Sequence, residues 1–476
     1  MKTMRARALP LSLMAALLAG GCTMAPRYER PATPVPAAFP EGEAYPQAET
    51  ETLPALDRAA LFTDARLLAL MDQALANNRD LRVAAANIVR ARSQFRAQRA
   101  ALLPQIDAGG QLQASDTAAA GSVTAASASL SASAWELDLF GRIQSMTDAA
   151  QERYFQTEAA ARATRLALLA DIANGWLAYA ADKSLLMLAE STAQSARKTA
   201  ELVEARLTGG IANRADLAQA QTVLANAESD LARQKTALAQ DVNALALLVG
   251  APIDAALLPE AIELAGDAIA DPPIATRSEI LLRRPDVLAS EYALRAANAD
   301  IGAARAALFP RITLSGLIGL ASGSLESLFG DAGRSTAQGT AAASYPIFRA
   351  GAGRANLTAT QAQRDAALAT YEKAIQTAFR EVADALARRG TIDEQLDADS
   401  RRATAAGEAL RLSEARYQGG VDSFLANLDS QRSYYTAQKT LVASRLEAAR
   451  NRVALYRTLG GDALTPAPGE PAAATE

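Results

Sequence analysis

The chain has 476 residues, half of them hydrophobic, with 48 lysines and arginines against 52 aspartates and glutamates, for a formal net charge of −4. No basic domain or basic run occurs, which argues against a partner such as nucleic acid or an anionic membrane surface. There is no histidine and only one cysteine, Cys22, so intrachain disulfides and Cys/His metal sites are excluded.

Residues 1–21 read as a secretory signal peptide. Lys2, Arg5 and Arg7, with no acid, precede an apolar run from Leu9 to Leu18 that is too short to span a bilayer. Their removal takes the mature chain to −7. Ala19-Gly20-Gly21 before the lone Cys22 resembles a bacterial lipobox, although Leu18 sits one place further from the cysteine than usual. That resemblance implies a lipoprotein in which Cys22 becomes the first residue and carries diacylglycerol and an N-acyl (palmitate) chain. Ordinary cleavage leaving a free thiol is the alternative. Thr23 stands where an aspartate would, by the same analogy, favour retention at the inner membrane, so delivery to the outer membrane is expected. No later segment has 18 consecutive apolar residues; any membrane crossing must use strands.

Residues 22–60 contain Pro26, Pro31, Pro34, Pro36, Pro40, Pro46 and Pro54 and predict an extended tether with no core of its own. The segment 61–250 then opens with a helix from about Asp64 to Leu103, broken near Asn77-Asn78. Two strands follow, about 104–115 and 123–137. In the first, Ile106, Ala108, Gly110, Leu112 and Ala114 alternate with Gln105, Asp107, Gly109, Gln111 and Gln113; in the second, Ala126 to Ala134 alternate apolar and serine positions. A long helix from Gly141 to Leu207 has no proline and would extend about 100 Å. Its Leu166, Leu169, Ala173, Trp176 and Ala180 follow the spacing of a coiled-coil seam, which predicts an elongated molecule. Gly209-Gly210 turns the chain, Asn213 with Asp216 caps the return helix, and Leu217, Leu224, Leu231, Leu238 and Leu245 fall every seventh residue along it. With no basic region ahead of them, these leucines predict packing on the neighbouring antiparallel helix rather than a DNA-binding zipper.

Residues 251–280, broken by Pro252, Pro259, Pro272 and Pro273, predict a mixed connector. Residues 281–461 then repeat the first unit. AQRAALLPQI is answered by AARAALFPRI, with Pro104 and Pro310 206 residues apart, and EARLTGG by EARYQGG at a spacing of 210. The repeat carries strands at about 310–321 and 336–347, a helix from about Gly351 to Tyr417, the turn Gly419-Gly420, and a return helix capped by Ser423 with Val442, Leu446, Ala449, Val453 and Tyr456 on one stripe. Residues 462–476 predict a disordered tail. A tandem duplication this long constrains the fold more than any single motif.

Each strand is long enough to cross a bilayer when tilted, although alternation alone also suits a soluble sheet with one solvated face. Four strands per chain cannot close a membrane barrel, since the smallest bacterial ones use about eight, so spanning strands must be pooled between copies.

LLRRPDV (281–287), AANADIGAARAALFPRI (296–312), WELDLFGR (135–142) and RYQGGVDSFLANLDSQR (416–432), in this order relative to the repeat, resemble the TolC-like outer-membrane factors, in particular their OprM/NodT-type lipoprotein branch. The resemblance covers Cys22 to Gly461, with local departures at Asn78-Arg79-Asp80-Leu81 and at Arg349-Ala350-Gly351. It implies a mainly α tandem-repeat fold whose homotrimer forms a 12-stranded β-barrel in the outer membrane of a Gram-negative bacterium, continued by a periplasmic α-helical barrel. It also implies a passive exit channel for drugs or other small molecules, fed by a periplasmic adaptor protein and an inner-membrane RND-type transporter, with no cofactor beyond the lipid on Cys22. Leu425, Asp429 and Arg432, at spacings of four and three, would face the three-fold axis as the periplasmic gate, joined by Tyr417. The tip turns, Arg206, Leu207, Thr208, Gly209 and Gly210 with Arg416, Tyr417, Gly419 and Gly420, would contact the adaptor; simple helix reversal explains the same residues.

Two other classes compete with a channel. An envelope enzyme lacks histidine, an available cysteine, a nucleophile elbow or a phosphate loop. A lipid-anchored structural coiled coil shares the helices and heptads but has no use for the strand pairs.

Overall fold

A computed structural model describes residues 23–46, 56–117, 121–273, 277–330 and 333–463. The signal peptide, Cys22 and the tail from residue 464 lie outside the described residues. In chain order the elements are α1 (Arg58–Leu61), α2 (Ala65–Asn77), α3 (Arg79–Ala100), β1 (Ile106–Thr117), β2 (Gly121–Leu137), α4 (Arg142–Thr208), α5 (Arg214–Val249), α6 (Ile262–Asp267), α7 (Pro285–Ala306), β3 (Arg311–Ser322), β4 (Arg334–Ser344), α8 (Ala352–Gln418) and α9 (Phe424–Thr458). They fall into two compact units. The first comprises residues up to Ala32, Ala86–Glu158 and Ala289–Glu372; the second comprises Thr33–Ala85, Ala159–Leu288 and the chain from Lys373.

The first unit holds one antiparallel sheet in the order β1-β2-β3-β4. Its register sorts the side chains into two unlike faces. Ala108 pairs with Leu130, Leu130 with Ile318 and Ile318 with Ala337, so one face is aliphatic. Ser129 pairs with Gly109 and Gly319, and Gly319 with Thr336, while Ser127 pairs with Gln111, which makes the other face polar. The alternation read from Ala126 to Ala134 does not run through unbroken. A one-residue bulge between Ala132 and Trp135 resets it, with Ala134 at φ +49° and its N–H donating to Ser315 Oγ at 3.0 Å. The extra residue returns Trp135 and Leu137 to the aliphatic face, opposite Leu314 and Ile312. Trp135 Nε1 donates to Leu102 O at 3.2 Å, an anchor at the start of the strand pair.

The N-terminal segment is docked rather than loose. Thr23 Oγ1 lies 3.3 Å from Ser145 Oγ, Arg305 donates to Met24 O at 3.2 Å and Asn298 to Pro26 O at 2.7 Å. Gly302 is required where the strap crosses α7, because a Cβ there would stand 2.6 Å from Ala25 N. The keystone is Glu291, only 1 % exposed, which accepts from Tyr28 at 3.2 Å, from both Arg30 nitrogens at 3.1 and 2.8 Å and from Arg295 at 2.6 Å. A prolinerich strap has no core of its own, as its composition predicts, but it borrows these polar anchors.

In the second unit the seam on α4 is fully packed: Leu166, Leu169, Ala173, Trp176 and Ala180 are all buried. Trp176 Nε1 still finds an acceptor, Leu257 O at 3.0 Å. On α5, Leu245 is buried and the four earlier heptad leucines are half-buried. The break between α2 and α3 is set by Asn78, whose side chain accepts from Leu81 N at 3.0 Å and donates to Leu248 O at 2.8 Å. The strap continues here: Phe39 stacks on Phe379 with centroids 5.3 Å apart, and Ser278 donates to Pro36 O and Ala37 O. The described chain also runs slightly past the repeat, since Gly461–Ala463 forms a 3-10 turn in which Asp462 pairs with Arg165 at 2.8 Å and accepts from Tyr456 at 3.1 Å.

The RRPDV motif has a structural task. Arg284, 6 % exposed, pairs with Asp286 at 2.7 Å and Glu381 at 2.9 Å and donates to Thr458 O at 2.8 Å, tying the start of α7 to α8 and the end of α9. Arg284→Ala should therefore cost about 1.5–3 kcal/mol, read from denaturation midpoints, because it removes charge-assisted hydrogen bonds from a buried guanidinium to two carboxylates that are themselves partly exposed. Glu291 supplies a pH-dependent counterpart. Burial pushes its carboxyl up, but Arg30 and Arg295 outweigh burial and hold it below the usual carboxylate range. A depressed acid stabilises fully above its unfolded value of about 4.3 and loses that contribution as pH falls through the folded value. Trypsin cleavage after Arg27 should accordingly be slow at neutral pH in the native protein and fast in Glu291→Gln.

Candidate functional site

Three regions carry the residues singled out from the sequence: the sheet, the helix turns and the exposed stripe on α9. On the sheet, the aliphatic face is largely bare. Ile106 is 70 % exposed, Leu112 60 % and Ile318 60 %, with Leu130 close behind. A soluble antiparallel sheet buries its apolar face and leaves the polar one in water; here most of the aliphatic face is left uncovered by the described chain, Ala126 excepted. The β1 and β4 edges, 12 and 11 residues long, have no partner strand among the described residues. Aromatic side chains gather near the helix-proximal end of the strands: Trp135 on the aliphatic face, Phe140 stacked on Phe309 at 4.9 Å, and exposed Tyr345 and Phe348. An aliphatic band ending in aromatics is the surface a bilayer and its interface favour.

The two helix turns are built alike. Gly210 at φ +74° and Gly420 at φ +73° take the left-handed position that ends α4 and α8. Ile211 N then donates to Arg206 O at 2.8 Å and Val421 N to Arg416 O at 2.9 Å. Asn213 caps α5 by accepting from Asp216 N, and Ser423 caps α9 by accepting from Ala426 N. In the second turn Arg416 grips Asp422 with two nitrogens at 2.7 and 2.8 Å, and its guanidinium holds the Asp422 carboxyl below the usual carboxylate range. Arg206 lies over the Tyr417 ring at 4.8 Å, and that ring packs on Phe424 at 5.5 Å. Tyr417, only 8 % exposed, therefore belongs to a small core with Ala200, Val203, Ala220, Phe424 and Leu428. Leu207, Thr208, Gly209 and Gly419 complete the two turns.

Sequence reading passed over the residue after each double glycine. Ile211 is 81 % and Val421 67 % exposed, so each turn presents one aliphatic side chain at its apex. The signal was available, since both positions are apolar between turn residues.

Along α9, Phe424 and Leu428 point into the tip core while Leu425, 52 % exposed, Asp429 and Arg432 share an exposed stripe about a quarter-turn round the helix from them. Asp429 and Arg432 form an ion pair within their own helix. Arg432 also borders a cleft with Arg402 and Asp429 between α8 and α9. No helix among the described residues is long and apolar enough to cross a membrane, and they hold no cluster of His, Cys, Asp and Glu suited to a metal ion.

The chain matches the outer membrane efflux protein family over residues 70–251 and again over 276–461, one match for each repeat. It is 40 % identical over 455 residues to the probable efflux pump outer membrane protein TtgC of Pseudomonas putida, covering 94 % of each chain. Outer membrane protein OprJ of Pseudomonas aeruginosa is likewise 40 % identical, over 457 residues, covering 94 % of this chain and 95 % of that one. Among solved structures, the open state of the Neisseria gonorrhoeae MtrE outer membrane channel superposes with a TM-score of 0.83 at 34 % identity, covering 93 % of this chain and 99 % of that one. With a bilayer-suited sheet, a tandem repeat and these relatives in agreement, the chain belongs to the outer membrane efflux protein family, with the TolC-like tandem-repeat fold of an OprM-type outer-membrane efflux channel.

Proposed function

We propose that three copies of this chain, each held to the outer membrane by lipid on Cys22, pool their sheets into a 12-stranded barrel and give passive exit to small molecules delivered from a periplasmic adaptor and an inner-membrane RND-type transporter. The observation that carries this reading is the four-stranded sheet with an exposed aliphatic face and two open edges. Open edges in lipid leave a row of unsatisfied amides and carbonyls, each costing several kcal/mol, and pairing β4 of one copy with β1 of the next satisfies them. The polar face then lines the lumen. The Thr23 side chain touches Ser145, so acyl chains on the residue that precedes it in sequence would emerge beside the first unit.

In the second unit, the α9 stripe is the gate. Three copies of Leu425 would form an apolar constriction, and Asp429 a ring of negative charge beneath it. Arg432 already reaches Asp429 within one chain, and in the trimer it would exchange that partner for a neighbouring helix. Tyr417, packed under Arg206, would position the turn rather than face the pore. The adaptor would meet the turns, with Ile211 and Val421 as apolar contacts framed by Arg206–Gly210 and Arg416–Gly420.

Purified protein should run as a trimer and conduct ions in planar bilayers, with Asp429→Ala combined with Arg432→Ala raising the conductance. Unchanged conductance in that double variant would remove the gate assignment while leaving the channel. For the turns, Ile211→Asp with Val421→Asp should weaken adaptor pull-down by roughly ten-fold or more, as loss of two central apolar contacts does, and leave bilayer conductance as it was.

A further inference from the structure

The duplication makes one contact between the two repeats a template for another. Phe140, where β2 runs into α4, stacks on Phe309, where α7 runs into β3, with ring centroids 4.9 Å apart. Both residues have counterparts. Phe140 is answered 208 residues on by Phe348, between β4 and α8, and Phe309 is answered 206 residues back by Leu103, between α3 and β1. Within one chain these counterparts cannot meet. They stand at opposite edges of the sheet, three strand spacings or about 14 Å apart. Both are bare: Phe348 is 85 % exposed and Leu103 71 %, and Ile347 and Ile106 beside them are as open.

A second copy supplies what each lacks. A closed ring built from this tandem repeat has two kinds of junction, one between the repeats of a chain and one between the second repeat of a chain and the first repeat of the next. We infer that Phe348 of one copy packs on Leu103 of the next, flanked by Ile347 and Ile106, as an apolar clasp that fastens the subunit junction at the helix-proximal end of the barrel. Such a clasp presupposes the pooled sheets of the proposed trimer. The two junctions differ in charge, and that difference sets how much the clasp must carry. Within the chain, Glu136 on β2 accepts from Arg311 on β3 at 2.7 Å, an ion pair at the same junction as the Phe140–Phe309 stack. Its counterparts at the open edges are Ser344 and Gln105, both uncharged, and Gln105 already donates to Asp107 at 2.9 Å. Burial of large apolar side chains therefore has to fasten between copies what an ion pair and a ring stack fasten within one.

The test uses the full-length trimer with Cys22 acylated and therefore silent. A chain carrying Leu103→Cys with Phe348→Cys is treated with a bis-maleimide too short to bridge the sheet of one chain, then run on a denaturing gel. Each copy brings both thiols, so the expected product is a covalent trimer. Leu103→Cys with Phe329→Cys, the latter in the loop at the far end of the strands, should stay monomeric. In a second measurement, Phe348→Ala should lower the temperature at which the trimer dissociates in detergent, with helix content by circular dichroism as in the native protein. Leu103→Phe, which gives the copy junction the ring found at the junction within the chain, should raise that temperature and lose the gain when combined with Phe348→Ala. A trimer by size that gives only monomeric bands with Leu103→Cys/Phe348→Cys overturns the clasp and leaves the pooled barrel standing. An equal effect of Leu103→Phe with and without Phe348 also overturns the clasp. A chain that is monomeric before any cross-linker is added takes down the pooled barrel and the clasp together.

Discussion

Backbone amides and carbonyls along β1 and β4 set the terms for everything else in this protein. The two strands end the sheet in opposite directions, and nothing in the described chain pairs with their outer edges. In water such edges invite aggregation, and the aliphatic face bearing Ile106, Leu112, Leu130 and Ile318 invites it further. In a bilayer the face is at home but the edges are not. The proposed closure with other copies meets both demands, and the polar face with Gln111, Ser127, Ser129 and Thr336 would then be turned to an aqueous interior. On that proposal, oligomer, pore and membrane are three consequences of one unsatisfied edge.

Much of this was legible in the chain itself because period is a physical signal. A strand with two unlike faces must alternate, and Pro310 to Leu320 does so; a packed helix seam must repeat near 3.5, and Leu166 to Ala180 does so, with all five residues buried. The duplication was legible because the two repeats preserve their breakers, Pro104 and Pro310, and their paired glycines. The family match falls on the same two halves. Less was legible where the determinant is a contact between distant segments. The serine-alanine alternation of β2 gives no hint of the bulge at Ala134, because Ala has no unusual preference for positive φ; it is the pairing with β3 that imposes it. The strap reads as a featureless proline-rich tether, since its order comes from Glu291, Asn298 and Arg305, more than 250 residues away.

The candidate gate shows the same division. Leu425, Asp429 and Arg432 could be placed on one stripe by spacing, and all three are exposed on α9 beside the tip core. Tyr417 could not be placed by spacing. It sits on α8, and its burial depends on Arg206 and Phe424, contributed by two other helices. The packing between hairpins lies in no local pattern at all.

The central claim, that the aliphatic face of the sheet meets lipid and the polar face meets water, can be tested directly by spin-label accessibility in the reconstituted membrane. Cys22 is the chain's one cysteine, so single cysteines at Thr313, Leu317, Ile318 and Leu320 can be labelled once its thiol is acylated. The account predicts high oxygen accessibility at 318 and 320 and high accessibility to a polar nickel reagent at 313 and 317. Equal polar accessibility at all four positions would place the sheet in water and contradict it.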